Sequence, residues 1–212
     1  MADASPALTF EEIRALVRNL PGPDQEAATA AVLRQKQLTK PAGALGRLEE
    51  LAEWLAAWQG RAAPEVRRPR VAVFAGNHGV AARGVSAYPP EVTQQMVANF
   101  QSGGAAVNQL CENADAELRV YELDLDHPTA DFTQGPAMAE DECCRAMAYG
   151  MMAVEMGVQV IGLGEMGIGN STSAAALACA LFGGEAKDWV GRGTGVDEEG
   201  FQRKVAAVEA GL

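Results

Sequence analysis

The sequence predicts an α/β fold in which a mostly parallel sheet carries flanking helices and follows a small helical segment. Three observations predict it. Apolar runs of strand length, Val71 to Ala75, Leu118 to Leu125 and Val158 to Leu163, alternate with stretches of helical spacing. Strands separated by helices return through crossovers and so lie parallel. The chain has 212 residues, 48% hydrophobic and 21% charged, enough to bury a sizeable core.

At the start, Thr9 and Glu12 form a capping box ahead of Ile13, Leu16, Val17 and Leu20, which repeat at helical spacing. Pro21-Gly22-Pro23 ends that helix, a second starts at Asp24, and a third carries Leu45, Leu48, Leu51, Ala52 and Leu55 on one face. Residues 1–62 therefore read as an N-terminal helical segment that packs on something larger, and residues 63–212 as an α/β nucleotide-binding domain. Arg61, Arg67, Arg68 and Arg70 flank Pro64 and Pro69 and read as a solvated linker. Beyond the first strand, helices are expected over 90–100, 104–112 and 139–157, a strand around Trp189 and Val190, and a last helix ending in Arg203 and Lys204.

The formal charge of −11 argues against a nucleic-acid partner, because phosphate contacts need a basic surface. No stretch reaches the roughly 18 to 20 apolar residues of a membrane span, and no basic region followed by a hydrophobic one opens the chain. A cytoplasmic protein without a membrane partner is expected. Cys111, Cys143, Cys144 and Cys179 lack metal-ligand spacing and read as reduced, packed thiols. Neither a metal nor a cofactor is expected.

Residues 158–183, VQVIGLGEMGIGNSTSAAALACALFG, carry the strongest chemical signal. A buried strand enters Gly162, Gly164, Gly167 and Gly169, which can take positive φ and let a ligand approach the backbone. Asn170, Ser171 or Thr172 can then cap a helix running to about Phe182. Unpaired first-turn amides and roughly half a positive charge from the macrodipole suit a phosphate there.

Residues 162–167 also fit the dinucleotide pattern G-x-G-x-x-G. That reading needs an acidic residue at the carboxyl end of the next strand, whereas Glu185 and Asp188 precede Trp189 and lie at its wrong end. A P-loop reading fails for want of its lysine. Tight strand-to-helix packing is the alternative reading of the glycines.

Ligands of parallel sheets sit at the carboxyl ends of the strands. Three glycine-rich loops fall on that rim: residues 76–90, residues 162–172 and Gly191 to Gly195. Arg192 offers one cation to a phosphate; Lys204 offers another, though on its own it reads as a solvated surface residue, and Met96 as a core residue. His78 is either a base or a structural donor in a tight turn, and no nucleophile is spaced to stand beside it.

Five ordered blocks resemble the nicotinate-nucleotide:dimethylbenzimidazole phosphoribosyltransferase family. They are KPAGALGRLE (40–49), GNHGVAARGVSAYPPEVTQQMV (76–97), GPAM (135–138), GLGEMGIGNSTSAAA (162–176) and GRGTG (191–195). The resemblance implies a Rossmann-like sheet and phosphoribosyl transfer from nicotinate mononucleotide to 5,6-dimethylbenzimidazole. The products are α-ribazole 5′-phosphate and nicotinate, and the step belongs to assembly of the cobalamin lower ligand. A base nitrogen attacks C1′ with inversion. Such a displacement is mostly positioning: the pyridinium already leaves well, one carboxylate stabilises charge on the ribose, and a second takes a proton.

Carried over by position, the resemblance sets Glu165, with Met166 and Gly167, at the ribose and nicotinate. Gly164, Asn170, Ser171, Thr172, Arg192, Gly193 and Lys204 fall on the positions that hold the nucleotide and its phosphate, and Ser86, Tyr88 and Met96 on those lining the benzimidazole slot. Homodimers are implied as well. Asn77 stands where the family usually has aspartate, and KPAGALG and GNST replace KPPGSLG and GNTT.

Family members continue well past residue 212, and the glutamate that serves them as general base lies in that part. The remaining strands and the segment that packs with the N-terminal helices lie there too. The resemblance thus implies the N-terminal portion of such a transferase, with a sheet incomplete relative to the family and low turnover alone. A non-catalytic nucleotide-binding or assembly module is the competing reading.

Overall fold

The computed structural model describes residues 8–212. Its first part is helical: α1 (Phe10–Arg18), α2 (Gln25–Gln35) and α3 (Arg47–Gln59). The capping box forms, Glu12 N donating to Thr9 Oγ1 at 3.3 Å and Thr9 N to Glu12 Oε2 at 2.7 Å. Asp24 caps α2 by accepting from Ala27 N at 2.9 Å. α2 packs against α3, burying Ala27, Ala28 and Ala31 on one helix and Ala56 and Ala57 on the other. The leucine face expected of the third helix stays open instead: Leu45, Leu48 and Leu51 are exposed, as are Leu16, Val17 and Leu20 of the first helix and its connection.

The strands are β1 (Pro69–Gly76), β2 (Glu117–Leu123) and β3 (Val160–Met166). They form one parallel sheet in the order β2-β1-β3. β1 is central, so Ala72, Val73 and Ala75 are buried. Helices α4 (Val92–Gln101) and α5 (Ala106–Asn113) link β1 to β2, and α6 (Glu140–Met151) links β2 to β3. After β3 come α7 (Asn170–Phe182), the single turn α8 (Ala186–Trp189) and α9 (Glu198–Gly211). Val190, Ala175, Cys179, Ala186 and Val208 close a small core among these last helices. All four cysteines are free thiols.

Four expectations change. No strand forms at Trp189 and Val190: residues 186–189 are helical, the Trp189 indole donates to Gly183 O at 2.8 Å, and Val190 serves the α7–α9 core. β3 starts at Val160 and runs through Gly162 and Gly164 to Met166. The last helix continues past Lys204 to Gly211. Arg70 is no linker residue, because β1 begins one residue earlier and carries it inside at 1% exposure. There it donates to Glu117 Oε2 at 2.8 Å, to Ala153 O at 3.0 Å and to Glu155 Oε2 at 3.0 Å.

Candidate anion and nucleotide site

β1 and β3 end level, with Ala75 paired to Met166, so the loops that leave them meet. A Cβ on Gly167 would collide with Gly76 O and press on the His78 ring, which is why the chain carries glycine there. Gly169, at φ +92°, is the N-cap of α7. None of the three expected residues caps the helix; Asn170 is its first residue, and its amide bonds to Gly167 O at 3.1 Å. Gly162 and Gly164 lie inside the strand, facing Val71 and Val73 of β1, without the positive φ expected of them. Their nearest neighbours are strand side chains and not a helix, the close neighbour of Gly167 is the chain's own backbone, and of the four glycines Gly169 takes positive φ.

The cation of the site comes from α9. Lys204 is 1% exposed, and its Nζ donates to Ser171 Oγ in the first turn of α7 at 2.8 Å. A Cβ on Gly193, whose φ is +54°, would sit 2.8 Å from that Nζ and 3.0 Å from Ser171 Oγ. The helix mouth, the Gly191 to Gly195 loop and α9 therefore converge on one small cradle. No carboxylate pairs with Lys204 among the described residues, and burial pushes its pKa below the ordinary lysine range. The ammonium thus has the Ser171 hydroxyl as its side-chain partner among the described residues.

A second seam joins the first and third loops. Ser86 Oγ and Thr194 Oγ1 share a hydrogen bond of 3.0 Å, Ala87 N donates to Thr194 Oγ1 at 3.3 Å, and Tyr88 N donates to Ser86 Oγ at 3.2 Å. Tyr88 is exposed just before α4, and Met96 is half-buried on it. Glu165, next to last in β3, is exposed beside the rim. Met166 is half-buried, and Thr172 is fully buried with its Oγ1 unpartnered.

Arg192 turns to the helix that follows it, donating to Val196 O at 3.1 Å and Glu198 Oε2 at 2.9 Å, with its guanidinium over the Phe201 ring. It is thus not drawn to Lys204. Asn77 donates to Leu125 O at 2.8 Å and leaves a buried Oδ1 without a partner. His78, partly buried with its pKa lowered by that burial, shares a 3.3 Å hydrogen bond with Ser173 Oγ, so a hydroxyl that the local spacing did not place does stand beside it.

Sequence reasoning missed Thr93, Ser173 and Thr194. Each is a hydroxyl whose partner lies between 75 and 108 residues away, and no local pattern announces such a bond. Among the described residues no group of three or more His, Cys, Asp or Glu side chains could hold a metal.

A family model described as phosphoribosyltransferase matches residues 20–212. The chain is 57% identical over 202 residues to the nicotinate-nucleotide–dimethylbenzimidazole phosphoribosyltransferase of Rhizobium rhizogenes, covering 95% of this chain and 60% of the relative. Against the enzyme of that name from Cereibacter sphaeroides it is 58% identical over 208 residues, with coverages of 98% and 62%. The crystal structure of CobT from Thermus thermophilus superposes with a TM-score of 0.81 at 48% identity, over 87% of this chain and 61% of that one. The chain thus spans about three-fifths of the length of these relatives.

Proposed function

The chain belongs to the phosphoribosyltransferase family, and from that premise we propose that it carries the mononucleotide half of a site that moves phosphoribose from nicotinate mononucleotide to 5,6-dimethylbenzimidazole. The observation that carries this reading is the dried Lys204 ammonium, 2.8 Å from Ser171 Oγ at the mouth of α7 and unmatched by any carboxylate. The 5′-phosphate would bridge Lys204, Ser171 and the backbone at Gly193. C1′ would then lie toward Glu165, whose carboxylate stabilises the charge that builds on the ribose as the pyridinium departs. The flat base would enter beside Ser86, Tyr88 and Met96 and attack from the opposite face. Its proton would pass to a general base that the family resemblance puts beyond residue 212.

Support for the substrates comes from the two nicotinate-nucleotide–dimethylbenzimidazole phosphoribosyltransferases that are 57% and 58% identical to this chain. The exposed leucines of α1 and α3 support self-association, and four free thiols fit a reducing cytoplasm. The test is an assay with both substrates, using the chain alone and mixed with the separately made C-terminal portion of a relative. α-Ribazole 5′-phosphate appearing in the mixture supports the reading. Saturable mononucleotide binding without product in any pairing would leave a binding module in its place, and no saturable binding at all would overturn both.

A further inference from the structure

Helix α4 is the element on which the proposed base slot rests, and one buried contact ties it to the anion cradle. Thr93, second in α4, is 0% exposed. A threonine hydroxyl near a helix start ordinarily serves nearby backbone groups of its own segment or water. Here Oγ1 instead accepts the amide of Ile168 at 3.1 Å, 75 residues away. Ile168 is 3% exposed and sits between Gly167 and Gly169, in the turn that delivers β3 to the mouth of α7. Met96 lies three residues along α4, hence on the same side of the helix as Thr93.

We propose that Thr93 is a positioning residue that couples the two halves of the site, its buried Oγ1–Ile168 N bond fixing the distance from the base-bearing helix to the turn at the phosphate. The inference rests on the proposed function, since it takes α4 as the base wall and the β3–α7 turn as the phosphate wall. A base that orders α4 orders the turn through this bond, and a phosphate that orders the turn orders α4 in return, so each ligand spares the other part of its ordering cost and strengthens its binding.

The test measures nicotinate mononucleotide affinity by calorimetry, with and without 5,6-dimethylbenzimidazole, for the wild-type chain, Thr93→Val and Thr93→Ser, well below the melting temperature of each. Valine keeps the shape, removes the acceptor and strands a buried amide. Mononucleotide affinity should fall about tenfold and the strengthening by the base should vanish. Serine restores the acceptor and should restore both. A residue that merely stabilises the fold would lower the melting temperature of Thr93→Val and leave these two quantities alone, and that result overturns the inference.

A wild-type chain that binds no mononucleotide sinks the proposed function and this inference with it. Wild-type binding with Thr93→Val unchanged sinks the inference alone. Should Thr93→Val not fold, hydrogen exchange in the wild-type chain decides: the Ile168 amide must exchange more slowly once dimethylbenzimidazole is added, and an unchanged rate overturns the proposal.

Discussion

The molecule buries two cations equally, one at each end of its sheet, and surrounds them differently. Arg70 and Lys204 are each 1% exposed. Arg70, at the amino end of β1, is met by two carboxylates and a carbonyl, Glu117, Glu155 and Ala153 O. Lys204, on the carboxyl-end rim, has the Ser171 hydroxyl. The first charge is compensated by the fold itself. The second has no carboxylate partner among the described residues, and under the proposed function that difference separates a structural cation from a binding one.

Exchanging each cation for methionine gives the largest expected effects, in opposite quantities. Lys204→Met should weaken nicotinate mononucleotide binding roughly 10- to 150-fold, the range for losing a hydrogen bond to a charged group. Its melting temperature should hold or rise, because an uncompensated buried ammonium is gone. Arg70→Met should do the reverse, lowering the melting temperature while leaving mononucleotide affinity unchanged. Calorimetry and thermal unfolding on both variants check the pair, and a stability loss at Lys204 matched by an affinity loss at Arg70 would break the comparison.

The glycines sharpen it further. Gly167→Ala would push a methyl group into Gly76 O and should cost about 1–3 kcal/mol, with loss of affinity, because the turn must move. At Gly162, inside β3, the new Cβ meets Val71 Cγ2 at an ordinary 3.6 Å, so alanine should instead add about 0.4–1 kcal/mol by restricting the unfolded chain. Urea titration of both variants reads the two signs. Four glycines that look alike in the sequence are thus expected to divide between rim and strand.

That division marks what the sequence could reveal. The parallel sheet and the Thr9 and Asp24 caps follow from local spacing, and local spacing suffices for them, whereas the Gly191 to Gly195 loop reaches the rim from helix α8 and not from the strand expected before it. Arg70 and Lys204 were both legible as solvated residues, since a long charged side chain is exposed unless a distant partner holds it. Nothing near Arg70 in the chain signals Glu117 or Glu155, and nothing near Lys204 signals Ser171. The strand expected at Val190 failed for a related reason: a short apolar stretch serves a helical core as readily as a sheet. Thr93 looked like any threonine at a helix start, because its partner Ile168 belongs to another loop.

A smaller effect should appear in the pH dependence of binding. Burial lowers the pKa of Lys204 below its usual 10.5, so the ammonium is lost at a lower pH than on a free lysine. Mononucleotide affinity should rise through about pH 6 as the phosphate takes its second charge, level off, and then fall below pH 10.5. Lys204→Met should show the first change and lack the second. An alkaline fall that survives in Lys204→Met would assign the titration to another group.

The smallest effect belongs to His78, which stands behind the cradle. Burial lowers its folded-state pKa beneath the unfolded value of 6.5. Between those two values the unfolded chain holds more protons, so stability increases with pH across that window. The contribution of the neutral ring is complete above 6.5 and is lost as pH falls through the folded value. His127, the other histidine, works against this: its hydrogen bond to Asp124 raises its pKa, so its contribution is present at low pH and lost as pH rises. In a His127→Gln background, the melting temperature should therefore climb more steeply from pH 5 to 7 than in the wild-type chain. Adding His78→Gln should flatten the climb, and an unflattened slope would show that the ring behind the cradle is not held neutral by its surroundings.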